Sequence, residues 1–275
     1  MRRVLLALLL ALGIARAGEA QGVVVAPHAV YLDHRTRSAS ITLYNPGSDP
    51  AEVTISSMFG YPVTDSVGHF MLLTPDSVDA SMPSATAWIE AFPRRMTIPP
   101  LQRQTVRLLA RPPQGLPDGE YWSRVMISAK GGAVPVSGAD SAGIAIGLTL
   151  EVRTIIPLIY RKGQLTTGVA LSNLRAQAVG DSLAVRVRLE RQGSSAYIGT
   201  AKGTLLTESG APVASFKLPV AIYYEAEPEF MLPLVDQAAG TYRFRLELAT
   251  DRTDIAPEQM LRSPVARDSI MVTLP

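Results

Sequence analysis

Cysteine is missing altogether from these 275 residues. That removes disulfide staples, thiolate metal sites and cysteine nucleophiles in one step. Histidine is nearly as scarce, with His28, His34 and His69 the whole supply. Sustained helical spacing is absent from 22 to 161. Past the first twenty residues no apolar run reaches the ~20 uncharged residues needed to cross a bilayer as a helix. A protein built this way, with no disulfide and no helical layer, has to rely on packed sheets. About 255 residues beyond residue 20 supply enough core for one large or two ordinary domains.

What is present begins with an address. Met1-Arg2-Arg3 is basic, Val4 to Ile14 is an almost unbroken apolar run, and Ala15-Arg16-Ala17 and Ala20 offer small residues at cleavage spacing. Residues 1–20 therefore read as a secretory signal peptide. The apolar run is too short for an anchor, so export is expected, with no membrane span in the mature chain. The formal charge of +2 vanishes with this leader. It takes Arg2, Arg3, Arg16 and Glu19 with it and leaves bases and acids equal in number, so charge gives no reason to propose nucleic acid as a partner.

The search for chemistry finds little. His34 stands beside Asp33 and near Arg35, but no nucleophile motif accompanies it, and a solvated strand end explains the trio. Ser141 lacks the glycine two residues before it that a nucleophile elbow requires, because position 139 is alanine. Glu225 and Glu227 are an i, i+2 pair that reads as a solvated edge. No phosphate-cradling glycine pattern opens a helix, and Asp and Asn do not cluster as in calcium loops. The chain reads as no enzyme, with no catalytic residue, no metal site and no cofactor.

Alternation is what the sequence does carry. Val23 to Leu32, broken by Pro27, Ser38 to Tyr44 with its Asn45-Pro46-Gly47 stop, and Ala51 to Met58 read as strands. Gly60 to Thr86 reads as loop or short edge strands. Elements around Pro93, then Thr105 to Ala110 and Glu120 to Ser128, follow at intervals of roughly ten residues. Tyr121, just behind the Leu116-Pro117-Asp118-Gly119 turn, suits a tyrosine corner. Gly131 to Gly143 reads as a mobile loop. The longest alternation runs from Ile144 to Tyr160, where the even positions are greasy throughout. A strand of that length has more apolar face than one sheet normally covers.

Beyond Arg161-Lys162-Gly163-Gln164, a hinge, the pattern restarts at Leu183 to Leu189, Tyr197 to Leu206, Val213 to Leu218, Val220 to Tyr224, Tyr242 to Leu248 and Ile270 to Leu274. Gly240-Thr241-Tyr242 echoes Gly119-Glu120-Tyr121. Glu258 to Arg262 offers a helical turn with no expected functional consequence. The fold class is all-β, two immunoglobulin-like β-sandwich domains in tandem, with residues 22–161 in the first and 165–275 in the second.

Several segments resemble the periplasmic pilus chaperones of the PapD-like family. They are the first strand of the form Val-x-x-x-Pro-x-x-Val-x-Leu, Phe92-Pro93 with Ile98-Pro99, Gln104-Thr105-Val106-Arg107, Leu116-Pro117 and, most specific, Ile156-Pro157-Leu158-Ile159-Tyr160-Arg161. The resemblance covers the mature chain in order, strongly for 22 to 161 and loosely thereafter. It implies an assembly factor that binds pilin-like or other exported subunits by lending them a strand, a form of β-addition. The implied donor residues are Ile144, Ile146, Leu148, Leu150 and Val152, and Arg161 falls on the family's arginine at the domain junction. The resemblance leaves open an outer-membrane usher as a further partner. Two positions depart from it. The family's basic pair in the interdomain cleft, which clamps a client's terminal carboxylate, reads here as His28 and Pro157, neither a permanent cation. An adhesive or fibre subunit with two such domains is the alternative function.

Overall fold

The computed structural model describes residues 22–135, 147–235 and 237–275. The leader, Ser141, Ile144 and Ile146 lie outside the described residues. Every regular element described is a strand, apart from two single 3-10 turns at Thr86–Trp88 and Pro257–Gln259.

The first sandwich holds two facing sheets. One contains β1 (Val24–Ala26), β3 (Ser38–Tyr44), β9 (Arg103–Ala110) and β7 (Ile89–Phe92), in that order. The other runs β2 (Val30–Asp33), β11 (Gly147–Lys162), β10 (Gly119–Pro135), β4 (Ala51–Met58) and β8 (Arg95–Ile98). Pro27 separates β1 from β2, so the opening segment crosses from one sheet to the other. Alternation decides which side chains meet between the sheets. Val106 and Leu108 of β9 face Val125 and Ile127 of β10 and Ile156 and Leu158 of β11, all fully buried or nearly so. Asn45 ends β3 because its side-chain amide is used locally. Its Nδ2 donates to the carbonyls of Asp49 (2.7 Å) and Ile98 (2.9 Å), while its Oδ1 accepts from Gly47 N (3.0 Å).

The second sandwich pairs β12 (Thr167–Val179) with β13 (Ser182–Gly193), which also carries β16 (Glu225–Ala226) and β17 (Glu229–Pro233). Opposite lies the sheet β15 (Pro212–Ile222), β14 (Tyr197–Leu206), β18 (Gly240–Ala249) and β19 (Ala266–Leu274). The two tyrosine corners are matched. Tyr121 Oη donates to Pro117 O and Tyr242 Oη to Ala238 O, each at 2.9 Å and four residues upstream. The echo between the two Gly-x-Tyr segments therefore has a structural meaning: both open the same strand of their sandwich.

Two expectations are revised, one open alternative is resolved, and one strand was not foreseen. Gly60 to Thr86 contains a paired hairpin, β5 (Tyr61–Thr64) with β6 (Phe70–Leu73). Residues 131–135 continue β10 instead of opening a loop, after a register shift between Lys130 and Ala133. Val213 to Leu218 and Val220 to Tyr224 merge into one strand, β15, with Pro219 tolerated because the sheet edge needs no donor there. β12 was not legible. Its burial is irregular, and a bulge at Asn173, whose φ is +54°, resets the register between Ser172 and Arg175.

Candidate functional site

β11 is the element on which the site is built. One of its edges is hydrogen-bonded to β10 along its whole length. The other meets β2, in parallel, only at Leu158 to Arg161. Among the described residues nothing pairs with that second edge from Gly147 to Pro157. Along those eleven residues about every second backbone position turns its polar groups to this edge, unpaired among the described residues, a template for another strand.

The faces of β11 divide along its length. From Ile156 onward the even residues fill the first core. Nearer the open end, Leu150 is 43% exposed. Val152 is half-buried, and Gly22 packs so tightly against it that a Cβ there would lie 3.2 Å from its Cγ1. Leu148 lies in β11 by backbone. Of the odd residues, Glu151 and Arg153 are exposed and paired to each other at 2.7 Å. Hydrogen bonding from Arg153 holds the Glu151 carboxyl below its usual range. No register break separates Arg153 from Pro157, so they share a face.

At its C-terminal end β11 enters the junction between the sandwiches. Glu120, with a fully buried side chain, accepts three bonds of 2.9 Å: from Arg161 Nε, Trp122 Nε1 and Ala196 N. Arg161 also donates through Nη1 to Gln259 O and lies 5.0 Å over the Tyr31 ring. The Pro257–Gln259 turn, which overlaps the helical turn expected at Glu258 to Arg262, thereby receives the first sandwich's arginine. Around this pair Trp122 meets Tyr223 edge-on at 4.6 Å and Tyr224 at 5.3 Å. Burial raises the Tyr31 phenol to about 12 and also raises that of Tyr223.

A cavity of about 790 Å³ opens where the free edge of β11 stops and β2 begins. His28 and Pro157, the two departures from the basic pair, both line it. So does Arg124, which sits directly across from Pro157 in the β10–β11 register. Residues opposite each other in an antiparallel pair share a face. Arg124 therefore supplies a guanidinium one strand over from Pro157. Its Nε donates to Gly60 O at 2.9 Å, and it lies 5.3 Å over the Tyr223 ring. Among the described residues no carboxylate pairs with it. Arg252, which also lines the cavity, is by contrast neutralised by Asp254.

No family model and no curated protein matches the chain. Solved structures do. One is a chain in the structure of the Salmonella enterica SafA pilin in complex with the SafB chaperone: 16% identity, TM-score 0.42, covering 92% of this chain and 99% of that one. Another is the Pseudomonas aeruginosa CupB2 chaperone, with 14% identity, TM-score 0.41 and coverage of 91% and 100%. A third comes from the CsuC–CsuE chaperone–tip adhesion subunit complex of Acinetobacter baumannii, with 11% identity, TM-score 0.42 and coverage of 90% and 97%. All three are structures of chaperones or their complexes. At these identities and scores the likeness transfers no residue's function, and the reading that follows rests on the geometry.

The other candidate positions are ordinary. His34 Nδ1 lies 3.1 Å from Tyr160 Oη, at the end of β2. Glu225 and Glu227 both pair with Arg188 on an exposed sheet face. No group of three or more His, Asp or Glu placed to hold a metal occurs among the described residues, and no described helix is long and apolar enough to cross a membrane. Sequence reasoning missed Glu120 and Arg124. For Glu120 a signal was available, since a carboxylate directly before Tyr121-Trp122 in a strand must be either exposed or paired.

Proposed function

We propose that the chain is an exported, periplasmic assembly factor of the chaperone kind, which binds pilin-like or other secreted subunits by lending them β11 as a missing strand. The observation that supports this best is the unpaired edge of β11 from Gly147 to Pro157. Backbone bonds along that edge would supply affinity, and Leu150 with its even-numbered neighbours would fill pockets in the client. Burying each such side chain contributes roughly 1.5 to 3 kcal/mol before the costs of association. Arg124 replaces the lost basic pair as the cation for a client's terminal carboxylate. Arg161 and Glu120 fix the angle at which the second sandwich frames the cleft.

The test is recovery of exported subunits from periplasmic extract on tagged wild type and on a Leu148→Asp, Leu150→Asp variant. Loss of recovery on the variant is expected. Equal recovery from both would rule out donation through this strand. Light scattering separates this reading from a fibre subunit: a helper elutes at one small size, whereas a subunit polymerises.

A further inference from the structure

The β5–β6 hairpin belongs to the first sandwich in sequence but is bolted to the second. Gly68 O accepts from Glu229 N at 3.0 Å, Thr64 Oγ1 accepts from Glu227 N at 2.8 Å, and Arg186 Nη2 donates to Ser66 O at 3.1 Å. Asp65 Oδ1 sets the turn by accepting from Val67 N and His69 N. Tyr61 anchors the base of the hairpin edge-on to Tyr224 at 5.0 Å. Its wall is therefore fixed before any partner arrives, which lowers the cost of binding.

That wall is apolar and faces the cleft. Phe70 and Met71 are 40% and 49% exposed, and with Leu72 they line the cavity. Across from them stands Ile155 of β11, 38% exposed, followed by Pro157. A segment laid parallel to β11 on its free edge takes the line of β2, and it must stop where Val30 already pairs with Leu158. Its last residues then lie in the cavity, with Arg124 on the floor. The dimensions suit a large side chain, and the chemistry around it is apolar with one unpaired cation.

We infer that the hairpin and Ile155 form a side-chain subsite that takes a bulky apolar, preferentially aromatic, residue at the carboxyl end of the docked segment. This rests on the strand-lending reading and adds a preference to it. The subsite selects among client termini by what the last side chain buries, while Arg124 holds the carboxylate beside it.

The probes are two fluorescein-labelled twelve-residue peptides of alternating Val and Thr, both with free carboxylates, one ending in Phe and the other in Ala. Anisotropy titrations use the mature full chain, as wild type and as a Phe70→Ser, Met71→Ser variant whose urea unfolding matches wild type. The Phe peptide is expected to bind wild type roughly tenfold or more tightly than the Ala peptide. In the variant that ratio should fall to about twofold or less while the Ala peptide binds as before. Equal binding of both peptides to wild type, or a preference that survives in the variant, overturns the subsite alone. Failure of both peptides to bind wild type overturns strand lending and the subsite with it.

Discussion

Replacing Glu120 with Gln perturbs the junction at its centre while barely changing volume. The carboxylate is fully buried, and Arg161 beside it is 15% exposed. An amide can keep one oxygen for Trp122 Nε1 and Ala196 N, but its NH2 then faces the Arg161 guanidinium. A hydrogen bond to a charged group is worth about 1.5 to 3 kcal/mol, and breaking a buried pair costs about 3 to 5. Arg161 retains Gln259 O and the Tyr31 ring, so the lower part of that range applies, about 3 kcal/mol. Urea unfolding followed by tryptophan emission suits the purpose, because Trp122 is in the junction and the only other tryptophan, Trp88, packs against Tyr160. With a urea slope of about 2 kcal/mol/M, the midpoint reported by Trp122 should drop by about 1.5 M. Adding Arg161→Met removes the stranded charge, so the double variant should recover to within about 1 to 2 kcal/mol of wild type. A Glu120→Gln shift below about 0.5 kcal/mol, or single losses that simply add, would refute a coupled ion pair at this junction.

Three further outcomes follow from particular groups. Burial lifts the Tyr31 phenol to about 12, above its unfolded value near 10. Its contribution is intact below about pH 10 and is lost between 10 and 12, at up to about 1.4 kcal/mol per pH unit, so Tyr31→Phe should flatten the alkaline stability curve in that window. Gly68→Ala places a Cβ 2.6 Å from Glu229 N at a φ of +92°. It should cost about 1 to 2 kcal/mol and speed amide exchange at Glu229. Tyr197 Oη is buried with no hydrogen-bond partner, so Tyr197→Phe should leave thermal stability unchanged or raise it by about 1 kcal/mol.

Much of the architecture was legible because sandwich strands advertise themselves by alternation. Ser38 to Tyr44, Thr105 to Ala110 and Tyr242 to Leu248 place every second residue in a core, and Asn45 and the two corner tyrosines mark where strands stop and start. The hairpin was not legible, for a physical reason. Tyr61 to Thr64 and Phe70 to Leu73 are all exposed or half-buried, and the second-sandwich residues that hold the hairpin lie 120 or more positions away. Arg124 was hidden differently. That it faces Pro157 depends on the register of two long strands, which alternation alone leaves free to slip. The donor row was read as one face, yet the structure splits it: Val152 is partly claimed by residue 22, and Leu150 is left open.

The free edge of β11 is tested most directly by amide hydrogen exchange at residues 150 to 156, alone and with a captured client. In the free chain, protection should alternate, because every second amide points to β10 and the others to solvent. With a client bound, the fast amides should become as slow as their neighbours while those facing β10 stay unchanged. Uniform protection already present in the free chain, or an alternation that persists when the client is held, would contradict strand lending.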